Sequence, residues 1–296
     1  MINNYLNQQK YYFLGLFIGL ASRLKKFVLG LKSPRPRMLA LSDYQINLTY
    51  DQDILKTIFG LNNKPDFFIN KKVLEVGPGP DLMLGLLTLE NGASSYQAID
   101  YFPVLSAPPF FYKKISETLT NPVAIKAAQE LSSSLPNSQE INVSNLSYKI
   151  LGIEKLGSLQ EKYDIIFSKD VLEHIDDLDS AFKAMKQSLT PNGYMIHKVD
   201  FQTHTSFIQE TDRLNFLRYS ENIYKKFVKF RGGPNRLRLP ELIELAKASG
   251  FTIEKIYINK EMSESELAKI KPYLSQYYRN LPDSALSPLS AWIIFH

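Results

Sequence analysis

The residues of this chain best suited to chemistry are a pair of glycines, the carboxylates around them and three of its histidines. In Lys72-Val73-Leu74-Glu75-Val76-Gly77-Pro78-Gly79-Pro80-Asp81, a β-forming run ends at Gly77 and Gly79, whose missing Cβ atoms let a ligand approach the backbone. Pro80 suits the start of a helix, and Asp81 suits the positive end of its dipole. A pyrophosphate is disfavoured there, because Asp81 puts a carboxylate where the phosphates would sit and Leu82 stands where a dinucleotide fingerprint needs a third glycine. Asp100 ends a second strand-like run, Ser95–Ile99, about 20 residues beyond the glycines, the distance at which such a fold presents a carboxylate to ribose hydroxyls. A phosphate-free nucleoside ligand fits both features. The structural alternatives are a plain tight turn at the glycines and an Asp-initiated turn at Asp100.

Histidine titrates near neutral pH and suits proton transfer. His197, Asp200 and His204 lie at and beyond the end of one predicted strand, Tyr194–Val199, and His174 follows another, Tyr163–Ser168. In open α/β sheets ligands bind at the carboxyl ends of the strands, which favours Asp200 and His204 over His197, a residue inside the strand. No metal site is expected, because a strand sends neighbouring side chains to opposite faces. The chain has no cysteine, so thiolate metal sites, disulfides and a Cys nucleophile are excluded.

These residues need a parallel sheet to position them. Strands are predicted at 72–76, 95–99, 146–151, 163–168, 194–199, 251–258 and 290–295. Helices are expected at 51–60, 81–91, 177–189 and 239–249, the last with Pro240 near its start and Gly250 past its end. The order describes an α/β fold: a Rossmann-like, seven-stranded, mostly parallel sheet with helices on both faces and an antiparallel last strand. Residues 101–140 and 200–238 are insertions at strand ends, where they can cover a ligand.

A hydrophobic content of 44% and a charged content of 22% belong to a globular chain with a substantial core. The net charge of +5 is misleading, since residues 1–37 carry seven Lys or Arg and no acid, leaving the rest near −2. That excludes a basic face over the whole body, and no nucleic-acid partner is expected. Within this arm Phe13, Phe17, Leu20, Leu24, Phe27 and Leu31 draw one apolar stripe along a helix, too short in its unbroken apolar part to span a bilayer. Ser33-Pro34-Arg35-Pro36-Arg37 is read as a stiff linker ending the arm at 37, with one domain over 38–296. Peripheral contact through residues 11–31 with an anionic membrane is one use of the stripe. A helix folded over the domain, or a homodimer contact, is the other. The expected location is cytoplasmic, at the inner membrane face if the arm binds lipid.

The Glu75-x-Gly77-x-Gly79 motif resembles the first motif of class I S-adenosylmethionine (SAM)-dependent methyltransferases, and the block Val171-Leu172-Glu173-His174-Ile175 is similar to one that recurs in their small-molecule branch. The resemblance covers about residues 70–296. It implies SAM as cofactor, with Glu75, Gly77, Pro78 and Gly79 near its methionine half, Asp100 and Tyr101 near the ribose, and Ser168 at the methionine end. The adenine contact is left open, since Leu151-Gly152 stands where many relatives have an acid. More narrowly, His197-Lys198-Val199-Asp200, Phe216–Ser220 and Asn235–Arg238 resemble the methyltransferase type 11 group associated with bacterial surface-polysaccharide synthesis. That implies a small-molecule, sugar or lipid-linked glycan acceptor, methylated on a hydroxyl; position at the carboxyl edge of the sheet then makes His204 the expected general base, with Asp200 orienting it and His197 as second choice. The eight Lys or Arg against four acids from Asp200 to Arg238, interleaved with aromatics, suit such an acceptor or form a solvated lid. An NAD(P)-dependent Rossmann oxidoreductase and a non-catalytic SAM-fold binding protein are the alternatives.

Overall fold

The computed structural model describes residues 2–28, 39–40, 42–62, 66–133, 140–229 and 232–296. The expected linker Ser33–Arg37 lies outside them. Eight strands form one sheet among the described residues: β1 (Lys72–Val76), β2 (Ser95–Asp100), β3 (Glu140–Val143), β4 (Leu146–Ile150), β5 (Tyr163–Lys169), β6 (Leu189–Asp200), β7 (Ile253–Glu261) and β8 (Pro288–Phe295), in the order β3-β4-β2-β1-β5-β6-β8-β7. The five strands β4, β2, β1, β5 and β6 run parallel, and β8 lies antiparallel between β6 and β7.

The eighth strand departs from the expected seven. β3 pairs antiparallel with β4 through a two-residue turn, in which Asn145 takes a left-handed φ of 58°, a conformation Asn tolerates better than most residues. β7 is the exposed edge, and its Glu254, Lys255, Lys260 and Glu261 blunt an otherwise pairable strand. β8, buried along its whole length, is the apolar run expected of an inner strand.

Helices cover both faces. On one, α2 (Asp43–Asn62), α3 (Met83–Glu90), α4 (Pro109–Ser116) and α5 (Pro122–Ser132) pack with Val73, Ala98 and Phe167. On the other, α6 (Leu178–Ser188) and α7 (Leu239–Ala248) pack Phe182, Met185, Leu242 and Ala246 against Ile166 and Phe295. Phe182 is fully buried, so its truncation to Ala costs about 3–5 kcal/mol. α2 starts eight residues before the expected Asp51 and reaches Asn62. The extension carries Asn47, which donates to Asp81 at 2.7 Å.

α1 (Ile2–Val28) sits on residues 215–228 with a face that its apolar stripe does not reveal. Gly15 and Gly19 point inward. A Cβ at Gly15 would stand 2.3 Å from Asn215 Oδ1, and one at Gly19 would stand 2.7 Å from the Phe227 carbonyl oxygen. The close approach is fixed by hydrogen bonds from Asn215 and Tyr219 to the Tyr11 and Tyr12 carbonyls, and from Arg23 to those of Lys225 and Lys229. Phe13, Phe17, Leu20 and Leu24 face outward, at 63%, 69%, 43% and 64% exposure. The Phe27 side chain and Leu31 lie outside the described residues. No helix among the described residues is long and apolar enough to cross a membrane.

Candidate active site

β1 lies between β2 and β5, so its two neighbouring crossovers leave in opposite directions and open a crevice at the strands' carboxyl ends. There a cavity of about 520 Å³ is lined by Gly77 and Gly79 after β1, Asp100 and Tyr101 at the end of β2, Ile153 and Glu154 after β4, and Val171 and His174 after β5. That volume accommodates a nucleoside-sized molecule.

Both glycines are left-handed, with φ of 75° at Gly77 and 77° at Gly79, a conformation that strains any residue with a Cβ. A Cβ at Gly77 would also lie 2.6 Å from Val171 Cγ2, whereas one at Gly79 would meet nothing within 4 Å. Gly77 therefore seats the turn against β5's exit, and Gly79 keeps a ligand-sized space open. Asp81 accepts from the Met83 N–H at 3.0 Å and so caps α3 with a buried carboxylate.

Asp100 accepts from the Phe102 N–H at 3.1 Å, with the Tyr101 and Gly79 N–H groups also favouring its charged form. Burial outweighs them and lifts its carboxyl to about 6. Glu75 lies beneath the turn and does not line the cavity. Burial raises it to about 8, against the opposing hydrogen bond donated by Tyr96, with the charges of Asp81 and Asp100 adding to the rise. Asp51 from α2 is likewise raised by burial, then by Asp81 and Glu75. The glycine turn thus rests on three buried acids that would accept a cation.

Glu154 was not expected. It comes from a 3₁₀ turn, Ile153–Leu159, that follows β4, and it puts a carboxylate on the cavity wall two residues beyond Gly152. Its signal in the sequence is an acid two residues beyond a glycine at a strand end.

Ser168 and His197 are placed elsewhere. They form a buried pair, Oγ to Nδ1 at 2.7 Å, across β5 and β6. Burial alone lowers the His197 pKa to about 3, so the ring is neutral. The structure corrects their expected positions: both lie in the sheet core, and neither lines the cavity, because β6 turns position 197 inward. Pro78 does not line it either.

His204 and Asp200 do come together, Nε2 to Oδ2 at 3.6 Å. They reach the cavity through His174, whose ring centroid is 4.8 Å from that of His204. Glu173 completes the group. It is 3% exposed, and its Oε1 lies 4.0 Å from His204 Nε2. Burial, then the charges of Asp170 and Asp200, push its carboxyl well above the usual range. Asn235 fixes the turn bearing these residues by donating from Nδ2 to the Leu172 and Ile175 carbonyls, both at 2.9 Å.

The basic residues of 200–238 require a second correction. Arg238 is fully buried and donates to the carbonyls of Phe201, Ala285, Leu286 and Pro288. Arg236 donates to those of Phe216 and Tyr219, and Arg218 pairs with Asp212 at 2.6 Å with both side chains 1% exposed. Arg236 and Arg238 satisfy backbone that has no ladder partner and Arg218 is held by a buried carboxylate, so none of the three is available to an acceptor.

Residues 44–256 match the family model described as a methyltransferase domain. The chain belongs to that family, and its cofactor is S-adenosylmethionine. No curated protein matches in sequence. Among solved structures, a SAM-dependent methyltransferase from Mesorhizobium loti is similar at 13% identity, over 77% of this chain and 91% of that one, with a TM-score of 0.43. A candidate SAM-dependent methyltransferase from Listeria monocytogenes is similar at 15%, over 86% and 98%, with a TM-score of 0.44. A candidate sarcosine dimethylglycine methyltransferase from Galdieria sulphuraria gives 15%, 92% and 96%, and 0.47. Likeness at this level identifies no acceptor.

Proposed function

We propose that this methyltransferase transfers its methyl group to a hydroxyl oxygen of a sugar, glycan or related small molecule. The observation that carries the reading is one cavity with a nucleoside-shaped end, made by Gly79, Asp100, Tyr101 and Glu154, and an imidazole wall at His174 backed by His204 and Asp200. In this reading residues 38–296 are the catalytic unit, with its insertions at 101–140 and 200–238, and residues 1–37 are an arm.

Bound there, SAM supplies an activated methyl group on a sulfonium centre. Asp100 accepts from the ribose hydroxyls, Glu154 accepts from the adenine amino group, and the buried acids Glu75, Asp51 and Asp81 favour the ligand's cationic end while disfavouring phosphate. The protein's remaining work is to align the acceptor oxygen and take its proton near neutral pH, which suits His204 with Asp200 beside it. The sugar or glycan class is supported by the sequence motifs; with Arg236 and Arg238 committed to backbone and Arg218 to Asp212, recognition falls to hydroxyl-bonding groups near His174 and Asp176.

The outward stripe of α1, with Lys10 and Lys25 exposed beside it, supports contact with an anionic bilayer, where a lipid-linked acceptor resides. Replacing Phe13, Phe17 and Leu24 by Ser abolishes flotation with anionic liposomes if this holds. Unchanged flotation rejects it, and a concentration-dependent dimer lost in the variant assigns the stripe to a second copy.

Screening sugars, glycans and nucleotide sugars for SAM-dependent mass gain tests the acceptor class. His204→Ala should lower turnover by roughly 10²–10⁴-fold with SAM affinity unchanged. Full activity in the variant removes His204 from the proton transfer.

A further inference from the structure

We infer that Glu173, His174 and His204 form a binding site for a divalent first-row transition-metal ion at the wall of the cavity. One donor atom from each lies within 4.8 Å of the others. Donors about 2.0–2.1 Å from a tetrahedral ion stand about 3.4 Å apart, so side-chain adjustment alone closes the set. Both Glu173 oxygens, His174 Nδ1 and His204 Nε2 are buried without a hydrogen-bond partner. Buried polar groups are nearly always partnered, and a cluster of under-bonded donors and acceptors at one wall calls for a ligand that bonds them together. Glu173 makes the strongest case, being 3% exposed with His204 Nε2 4.0 Å from its Oε1, beyond hydrogen-bonding distance.

The donor set selects the ion. Two imidazoles and one carboxylate suit Mn²⁺, Fe²⁺, Co²⁺ or Zn²⁺ rather than Mg²⁺ or Ca²⁺, and three protein ligands leave positions open, as in catalytic sites. Asp200 Oδ2 lies 3.6 Å from the same His204 Nε2 that would hold the ion, so it adds negative charge beside the ion and is not a support for the ring through its other nitrogen. Asp170 is already paired with Lys169 and Lys198, at 2.7 and 3.1 Å, and is not counted as a ligand.

The use of the ion rests on the function proposed above and deepens it. An acceptor hydroxyl at an open position of the ion would become more acidic and release its proton to solvent water, with His204 Nε2 serving as a ligand in place of the role as base proposed above. The site itself is read without any methyl transfer, so its failure and the failure of the functional reading are distinguishable.

The experiment titrates untagged full-length protein with Co²⁺, following visible d–d absorption, and repeats the titration with Mn²⁺ by electron paramagnetic resonance. The expected result is saturable binding of one ion per chain, displaced by Zn²⁺. Glu173→Gln and His204→Asn should each weaken it by at least tenfold, while the surface change His296→Ala leaves it intact. Should the buried variants not fold, Zn²⁺ titration of the wild type followed by imidazole ¹⁵N resonances locates the ion: His174 and His204 must shift, and His197 and His296 must not. No saturable binding of Co²⁺, Mn²⁺ or Zn²⁺, undiminished binding in folded variants, or shifts confined to His296 overturns the site.

Discussion

Asp100→Asn should weaken SAM binding and stabilise the empty protein, two effects of opposite sign from one carboxylate. The side chain already accepts from the Phe102 N–H at 3.1 Å, and the Tyr101 and Gly79 N–H groups also act on it. A carboxylate offers about four acceptor positions, so little capacity is left for the ribose. Asn keeps one acceptor for Phe102 and the shape of the turn, and removes the charge. One charge-assisted hydrogen bond is worth about 1.5–3 kcal/mol, so affinity at pH 7.5 should fall roughly 10- to 150-fold. In the empty protein the carboxyl is lifted from 3.8 to about 6. Its stabilising contribution is therefore complete below pH 3.8 and lost as pH rises through 6, withholding up to about 3 kcal/mol at neutral pH. The variant should melt higher than wild type at pH 7.5, with the difference vanishing toward pH 4. Calorimetric titration from pH 5 to 8 supplies the decisive readout. Wild-type affinity should fall about tenfold per unit as Asp100 protonates below pH 6. Glu75 adds its own dependence to both proteins, so the ratio of the two affinities isolates Asp100. A constant ratio across that range, or equal affinity at pH 7.5, would refute the ribose contact.

Because burial lifts Glu75 to about 8, it is mostly protonated at pH 7. A cationic ligand favours its ionised form, so SAM binding should release up to one proton, and the demethylated product, lacking the sulfonium charge, should release fewer. Calorimetry in buffers of different ionisation enthalpy measures this, and heat independent of buffer contradicts it. Gly19→Val places carbon 2.7 Å from the Phe227 carbonyl oxygen and 2.8 Å from Val228 Cα, so α1 should lift from residues 215–228 and be cleaved early in limited proteolysis, with SAM affinity retained. Arg238→Met strips donors from four buried carbonyls and should cost about 3–5 kcal/mol in urea unfolding; a change below about 1 kcal/mol would show that guanidinium to be dispensable.

The parallel core was legible because Val73, Leu74, Ile165 and Ile166 must be buried on both faces of a sheet, and continuous apolar runs ending at Gly77 or an acidic turn have few other solutions. Residues whose role depends on what lies across from them were harder to read. Phe13 and Phe17 left open a face turned to the domain, to a second copy or to a membrane; α1 packs on the domain through Gly15 and Gly19 instead, where contact is set by the absence of side chains and leaves no hydrophobic signal. Arg218, Arg236 and Arg238 looked like ligand-facing charge, because sequence records a guanidinium but not the unpaired carbonyls, or for Arg218 the Asp212 carboxylate, that hold it inside. The group at Glu173, His174 and His204 had a signal of a different kind. β5 and β6 are adjacent and parallel, with Ser168 opposite His197 and Lys169 opposite Lys198. Residues leaving the ends of two such strands share one edge of the sheet, so Glu173 and His174, just past β5, and His204, four residues past Asp200, are neighbours by topology despite about 30 intervening positions. Spacing within one strand argued against a metal there, since it sends His197 and Asp200 to different surroundings. Register between strands brings the same His204 to a buried carboxylate and a second imidazole, and for this site the pairing of the strands is the stronger guide.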